Sequence, residues 1–159
     1  MFQNEKLATT VFYKISPNLH RVFALNSYNL IMNKTIALHW FRQDLRLSDN
    51  PALHNALNNE QVLPVYILDN VNSGRYSVGG ASCFWLHHSL KNLKENLNNN
   101  LSIYHGDPLQ NLLEIIDRNN ITSVYWNRCY EPWRIKRDTE IKSILESKGI
   151  SVYTYNGSL

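Results

Sequence analysis

From Thr35 onward, short apolar runs alternate with longer stretches in which apolar residues recur every third or fourth position. Thr35–Trp40 (TIALHW), Val62–Leu68 (VLPVYIL), Leu101–His105 (LSIYH), Ser123–Asn127 (SVYWN) and Val152–Tyr155 (VYTY) each read as a short strand. Runs this brief and this apolar suit strands covered on both faces. Pro64 must then sit where the ladder asks for no N–H.

Helices are expected between them. Asn50-Pro51 pairs an N-cap with a first-turn proline and predicts a short helix to about Asn58. Asp69–Gly80 reads as a polar loop containing Gly74, Gly79 and Gly80. Leu86, Leu90, Leu93 and Leu97 form one stripe on a helix from about Ala81 to Asn98. Asp107-Pro108 repeats the cap-plus-proline signal, followed by the face Leu109, Leu112, Leu113 and Ile116. Trp133–Lys148 is a last helix, with Ile141, Ile144 and Leu145 in its later turns and Gly149 as its stop. Strands so short, joined by helices, pair in parallel through right-handed crossovers. The expected fold is therefore α/β: a Rossmann-like doubly wound sheet of five parallel strands with helices on both faces. Ligands of such sheets lie beyond the carboxyl ends of the strands, where strand order reverses. Those loops are Phe41–Asp49, Asp69–Gly80, Gly106–Asp107 and Arg128–Pro132.

Residues 1–33 carry no such pattern. Phe2, Phe12, Tyr13, Phe23 and Tyr28 are scattered without a period, and the segment lacks the charged start and continuous apolar core of a secretory signal. Met32 opens what reads as a fresh start, so residues 1–33 are expected to be an extension outside the fold. Residues 34–159 then form one domain, a size that can bury a core. The net charge of +3 is mild. With no dense Lys/Arg patch interleaved with aromatics, solvated surface lysines account for it better than a nucleic-acid groove does. Cys83 and Cys129 match no zinc spacing and are expected as free thiols in a cytoplasmic protein. No run approaches the roughly 20 apolar residues of a membrane span.

Chemistry is constrained first by what the fold lacks. No G-x-G-x-x-G follows the first strand and no P-loop occurs; the first βα loop, Phe41 to Asp49, contains no glycine. A pyrophosphate needs bare backbone at a helix start, so a dehydrogenase or P-loop enzyme is disfavoured. Three constellations stand out. Arg42, Asp44, Arg46 and Asp49 alternate with Leu45 and Leu47, which fits either a self-paired salt-bridge loop or a docking surface for a second domain. Asn127-Arg128-Cys129-Tyr130-Glu131-Pro132-Trp133-Arg134 follows the fourth strand. There Asn127 and Glu131 could hydrogen-bond a planar heterocycle and Tyr130 and Trp133 could stack on it, or the segment could be a capped turn with Trp133 in the core. In the stretch from Ser77 to His88, the adjacent His87 and His88 point about 100° apart on a helix and make poor joint metal ligands. No nucleophile with a base and no carboxylate pair can be assembled, so no catalytic or metal-binding residues are assigned.

Trp40-Phe41-Arg42-Gln43-Asp44-Leu45-Arg46-Leu47-Ser48-Asp49-Asn50-Pro51-Ala52-Leu53 resembles the opening block of the DNA photolyase/cryptochrome family. Tyr125 to Trp133 with Arg137-Asp138, Gly79 to Leu90, and Asn156 to Leu159 resemble further blocks, so the likeness runs from about Lys34 to the last residue. The resemblance implies the family's N-terminal α/β domain. In full-length members this domain is joined to a helical domain that holds FAD and meets DNA, and light drives the splitting of pyrimidine dimers, a lyase reaction. It also implies an antenna chromophore on the α/β domain. Ile67, Leu68, Asp69, Ser82 or Cys83, and Cys129 through Arg137, with Glu131 and Trp133 among them, stand at positions that match the family's pigment contacts; Asn127 joins these candidates through its own hydrogen-bonding amide. Folate-binding relatives carry an Asn-Glu pair where Trp133 and Arg134 stand. Arg134 removes that acceptor, so an 8-hydroxy-deazaflavin is favoured over methenyltetrahydrofolate, or no pigment is bound. Under the resemblance Arg42, Asp44, Arg46 and Asp49 brace the domain and help dock the helical partner. A chain without the FAD domain is expected not to repair DNA by itself. A stand-alone pigment- or nucleotide-binding module and a blue-light photoreceptor fragment are the alternatives.

Overall fold

The computed structural model describes residues 35–76 and 78–157, so the extension expected over residues 1–33 lies outside the described residues. Five strands form one sheet: β1 (Ile36–Phe41), β2 (Gln61–Leu68), β3 (Ser102–His105), β4 (Ser123–Asn127) and β5 (Ser151–Tyr155). All pairings are parallel, in the order β3-β2-β1-β4-β5. Between them run α1 (Pro51–Ala56), α2 (Gly80–Asn96), α3 (Pro108–Asn119) and α4 (Pro132–Ser147). The expected doubly wound architecture is present, with boundaries displaced by one or two residues. The loop expected over Asp69–Gly80 also holds a single 3₁₀ turn, Gly74–Tyr76.

Local chemistry sets the helix ends. The Asn50 side chain accepts the Leu53 N–H at 3.1 Å and Pro51 opens α1. Asp107 does the same for Leu109 at 3.3 Å, and Pro108 opens α3. Asn120 ends α3 at φ 51°, and Gly149 follows α4 at φ 81°, both in left-handed geometry that stops a helix. Pro64 is tolerated inside β2 because the β2–β3 ladder begins only at Val65.

Strand alternation sorts the core into two layers. Leu38, Trp40, Leu63, Val65, Ile67, Val124 and Trp126 face α3 and α4, meeting Leu112, Ile115, Ile141 and Leu145. Phe41 and Tyr66 face α1 and α2, meeting Leu53, Leu90, Leu93 and Leu97. Ala37, Ala52 and Ala56 let α1 lie close to the sheet. Each fully buried Leu or Ile contributes about 1.5–3 kcal/mol of transfer free energy. No described helix is long and apolar enough to cross a membrane. Because α1 and α2 lie on one face and α3 and α4 on the other, strand order reverses between β1 and β4. The carboxyl ends of those two strands therefore open the crevice.

Candidate functional site

A buried polar knot closes the bottom of this crevice. Arg42, at the end of β1, is 6% exposed and donates to the Asp138 carboxylate and to the Asn127 carbonyl. Arg137 bonds Asp69 at 2.8 Å and Asp138 at 2.7 Å, so two guanidiniums share two carboxylates. Asn127 donates to Asn50 at 2.8 Å and to Asp44, and accepts the Ala52 N–H at 3.2 Å. Arg46 reaches the Gly157 carbonyl at 2.7 Å and the Asp49 carbonyl at 3.1 Å. The loop of alternating charges is self-paired only in part, through Arg46 with Asp49 and the Arg42 N–H with Asp44. It ties β1, α1, β4, α4 and the segment after β5 together through long-range bonds. Buried charges survive here because each is paired and hydrogen-bonded.

Protonation follows from the same contacts. Burial alone would raise the Asp69 carboxyl, but N–H groups of Asn72 and Val71 and the Arg137 guanidinium outweigh it and hold it below the usual carboxylate value. Burial would likewise weaken the Arg137 charge, yet Asp138 and Asp69 hold its pKa above the usual value. At Glu131 burial, the largest single effect, would raise the carboxyl, but its own N–H, the Gln43 side chain at 2.7 Å and the charges of Arg134 and Arg42 together hold it below the usual value.

Above the knot, aromatic rings and guanidiniums alternate. Arg42 lies 5.0 Å from the Trp40 ring and 5.9 Å from Trp126. Arg137 lies 5.3 Å from Trp40 and 5.1 Å from Trp133. Arg134 lies 4.9 Å from Trp133, and Tyr76 is parallel to Trp133 with centroids 6.4 Å apart. Trp40 and Trp126 are buried, Trp133 is half-buried and Tyr76 is 56% exposed, so the series climbs from the core to the surface. Near its top, burial raises the Tyr66 phenol, Arg134 opposes that, and Cys83 adds to it. Tyr66 thus lies within electrostatic reach of both Arg134 and Cys83.

The residues expected to contact a ligand divide by placement. Trp133 and Glu131 lie at the mouth, on the first turn of α4 and just before it. Ser82 and Cys83 are exposed on the first turn of α2, with the Cys83 thiol 3.5 Å from the Val78 carbonyl. Cys129 is buried, 3.7 Å from Arg134. Asp69 is bound to Arg137 at the foot of the mouth. Leu68 packs against the layer facing α1 and α2, whereas the Ile67 side chain lies in the opposite layer, facing α3 and α4. Asn127 is 3% exposed, with its amide spent inside the protein. His87 and His88 are both exposed, and among the described residues no cluster could hold a metal ion.

Sequence reasoning passed over three participants. Tyr76 sits in a stretch that reads only as polar loop, with nothing to mark it as the partner of Trp133. Asp138 is the carboxylate that neutralises Arg42, 96 residues away in sequence. The helical offset of Arg134, Arg137 and Asp138 on α4 could have placed them on neighbouring faces. Arg134 lies within the span Cys129 through Arg137 that matches the family's pigment contacts, but its sequence reading assigns it no donor role. In the structure its Nε is buried and makes no hydrogen bond among the described residues, and Glu131 Oε1 stands 3.6 Å away. The buried Ser73 hydroxyl, on the loop leading to Tyr76, also lacks a partner among the described residues. Flat rings beside a guanidinium with one N–H left without a hydrogen bond fit a planar aromatic ligand with acceptor or anionic character.

The DNA photolyase family model matches residues 37–159. A cryptochrome-1 of Sinapis alba is 36% identical over 130 residues, covering 79% of this chain and 26% of that protein. A deoxyribodipyrimidine photo-lyase of Agrobacterium fabrum is 39% identical over 124 residues, covering 76% of this chain and 25% of the relative. Among solved structures, a bacterial class III photolyase from Agrobacterium tumefaciens superposes with a TM-score of 0.74 at 34% identity, covering 82% of this chain and 27% of that one. An archaeal photolyase from Sulfolobus tokodaii, described with two FAD molecules and a novel light-harvesting cofactor, gives a TM-score of 0.64 at 26% identity, covering 77% of this chain and 29% of that one. The chain spans about a quarter of the length of these relatives.

Proposed function

The chain belongs to the DNA photolyase/cryptochrome family as its N-terminal α/β domain, and from that premise we propose that it serves as a light-harvesting domain, holding a planar antenna pigment at the mouth between β2, β4 and the starts of α2 and α4. The observation that carries this reading is the Tyr76–Trp133 pair beside the Arg134 guanidinium, whose buried Nε makes no hydrogen bond among the described residues. Trp133 and Tyr76 would take the faces of the pigment, and Arg134 would meet an acceptor or anionic edge. Ser82, Cys83 and Glu131 would line the rim, with the buried Cys129 behind Arg134, while Asp69 and Arg137 would hold α4 at the right height. The pigment supplies absorption of near-ultraviolet or blue light; the residues supply orientation and exclusion of water. Arg134 favours an 8-hydroxy-deazaflavin over methenyltetrahydrofolate, because a guanidinium donates and cannot accept.

The chemistry of lesion repair or signalling belongs, in this reading, to the remaining length of the relatives, with a helical FAD domain as partner and DNA met through that domain. The purified chain is accordingly expected not to split pyrimidine dimers under light; clear repair would refute that assignment. The binding test is a fluorescence titration of the chain with 8-hydroxy-5-deazaflavin, methenyltetrahydrofolate and FAD in turn. Saturable binding of the deazaflavin, lost in Trp133→Ala, is the expected result. Absence of saturable binding by any of the three would overturn the light-harvesting reading.

A further inference from the structure

A pigment placed against indole rings faces a competing reaction. Among the side-chain rings indole gives up an electron most easily when no proton leaves with it, and an excited heteroaromatic in contact with it is an oxidant. In that step Trp133 gives up one electron and becomes an indole radical cation. The acceptor gains that electron, no bond breaks, and the return of the electron releases the energy as heat. A site that must pass excitation onward has to slow this step.

The structure places guanidiniums on the indoles at this edge. Trp40 has Arg42 at 5.0 Å and Arg137 at 5.3 Å, Trp126 has Arg42 at 5.9 Å, and Trp133 has Arg134 at 4.9 Å and Arg137 at 5.1 Å. A cation over a ring is attracted to the neutral π face. The same cation repels the positive charge that oxidation would create there, and partial burial weakens the screening. Both effects favour the neutral indole. We propose that Arg134 and Arg137 keep Trp133 from donating an electron to whatever photo-excited ring is bound against it, so that excitation survives long enough to be transferred. The role rests on the light-harvesting reading for its purpose, but the shielding itself belongs to these residues.

Arg134 is the residue to change, because Arg137 also holds Asp69 and Asp138. Arg134→Gln and Arg134→Lys uncover the ring to a similar extent, yet only lysine keeps a charge. The pigment-free chain is irradiated with tris(bipyridine)ruthenium(II) and persulfate, a one-electron photo-oxidant, and oxidation of Trp133 is read by peptide mass spectrometry. Arg134→Gln is expected to raise Trp133 oxidation by about threefold or more, the order set by losing one charge near the ring, with Arg134→Lys close to the parent. Equal oxidation in the Gln and Lys variants, or no rise in either, would overturn the proposal. In a second arm the lifetime of bound 8-hydroxy-5-deazaflavin is measured; it should shorten in the Gln variant and recover in the Lys variant. The three proteins are compared at saturating pigment, because Arg134 also meets the pigment's edge; failure of the pigment to bind the parent chain strikes the light-harvesting reading and leaves the oxidation result to decide the shielding. Binding with equal lifetimes in the three proteins strikes the shielding alone.

Discussion

His39 gives the most exacting test of the energetics. It sits in the middle of β1, the central strand, with no exposed surface and neither ring nitrogen hydrogen-bonded among the described residues. Its nearest aromatic contact is the edge of Phe41, with centroids 4.3 Å apart. Burial, helped by the charge of Arg42, lowers its pKa from 6.5 to about 3. A folded value below the unfolded one means that protonation favours the unfolded chain. The stability present above the unfolded value is thus lost as pH falls below it, and the loss continues until the folded value is reached. Each pH unit in that window removes about 1.4 kcal/mol, so between neutrality and pH 5 the domain should lose about 2 kcal/mol. That is a large share of the roughly 5–15 kcal/mol available to a domain.

The window is informative because Asp69 and Glu131, whose carboxyls are held low in the folded protein, lose their contribution only at lower pH. Urea unfolding followed by circular dichroism at pH 7.5, 6.5, 5.8 and 5.0 measures the slope. His39→Leu keeps a similar volume and removes both orphaned nitrogens. It should flatten the profile above pH 5 and leave stability at pH 7.5 equal or raised, since an unsatisfied buried polar group costs about 1–3 kcal/mol. A wild-type profile flat from pH 7.5 to 5, or a leucine variant with an undiminished slope, refutes the reasoning.

Three further outcomes are expected from the same unfolding measurement. Asp138→Ala strands the buried Arg42 and half of the Arg137 network, and should cost about 3–5 kcal/mol. Gly157→Ala brings a Cβ to within 2.6–2.8 Å of the Asn127 side chain, so it should cost about 1–3 kcal/mol by disturbing a packed, hydrogen-bonded amide. Gln43→Ala removes only the exposed bond to Glu131 and should change stability by less than about 1 kcal/mol; a larger loss would mean that this rim is structurally stronger than its exposure implies.

The fold was legible because its signals are local. Asn50-Pro51 and Asp107-Pro108 announce helix starts through bonds spanning two or three residues, and the Leu90, Leu93 and Leu97 stripe needs only helical spacing. The site was legible only in outline, because its partners are set by the crossovers. Arg42 and Asn127 read naturally as loop and ligand residues; the sheet order instead puts the ends of β1 and β4 side by side and turns both side chains inward. Ile67 and Leu68 are neighbours in sequence, yet strand alternation sends them into opposite layers. What remains at the mouth has no local pattern at all: Tyr76 from a 3₁₀ turn, Cys83 from α2, Trp133 and Arg134 from α4. Their meeting depends on the Arg42–Asp138–Arg137–Asp69 knot, which fixes α4 against β1 and β2. The knot and the mouth thus share α4, and a substitution that loosens the buried charges should also misplace the Trp133 ring. Pigment affinity and acid stability are therefore expected to fall together in knot variants, but to separate in His39→Leu, which changes stability and its acid response without touching the mouth.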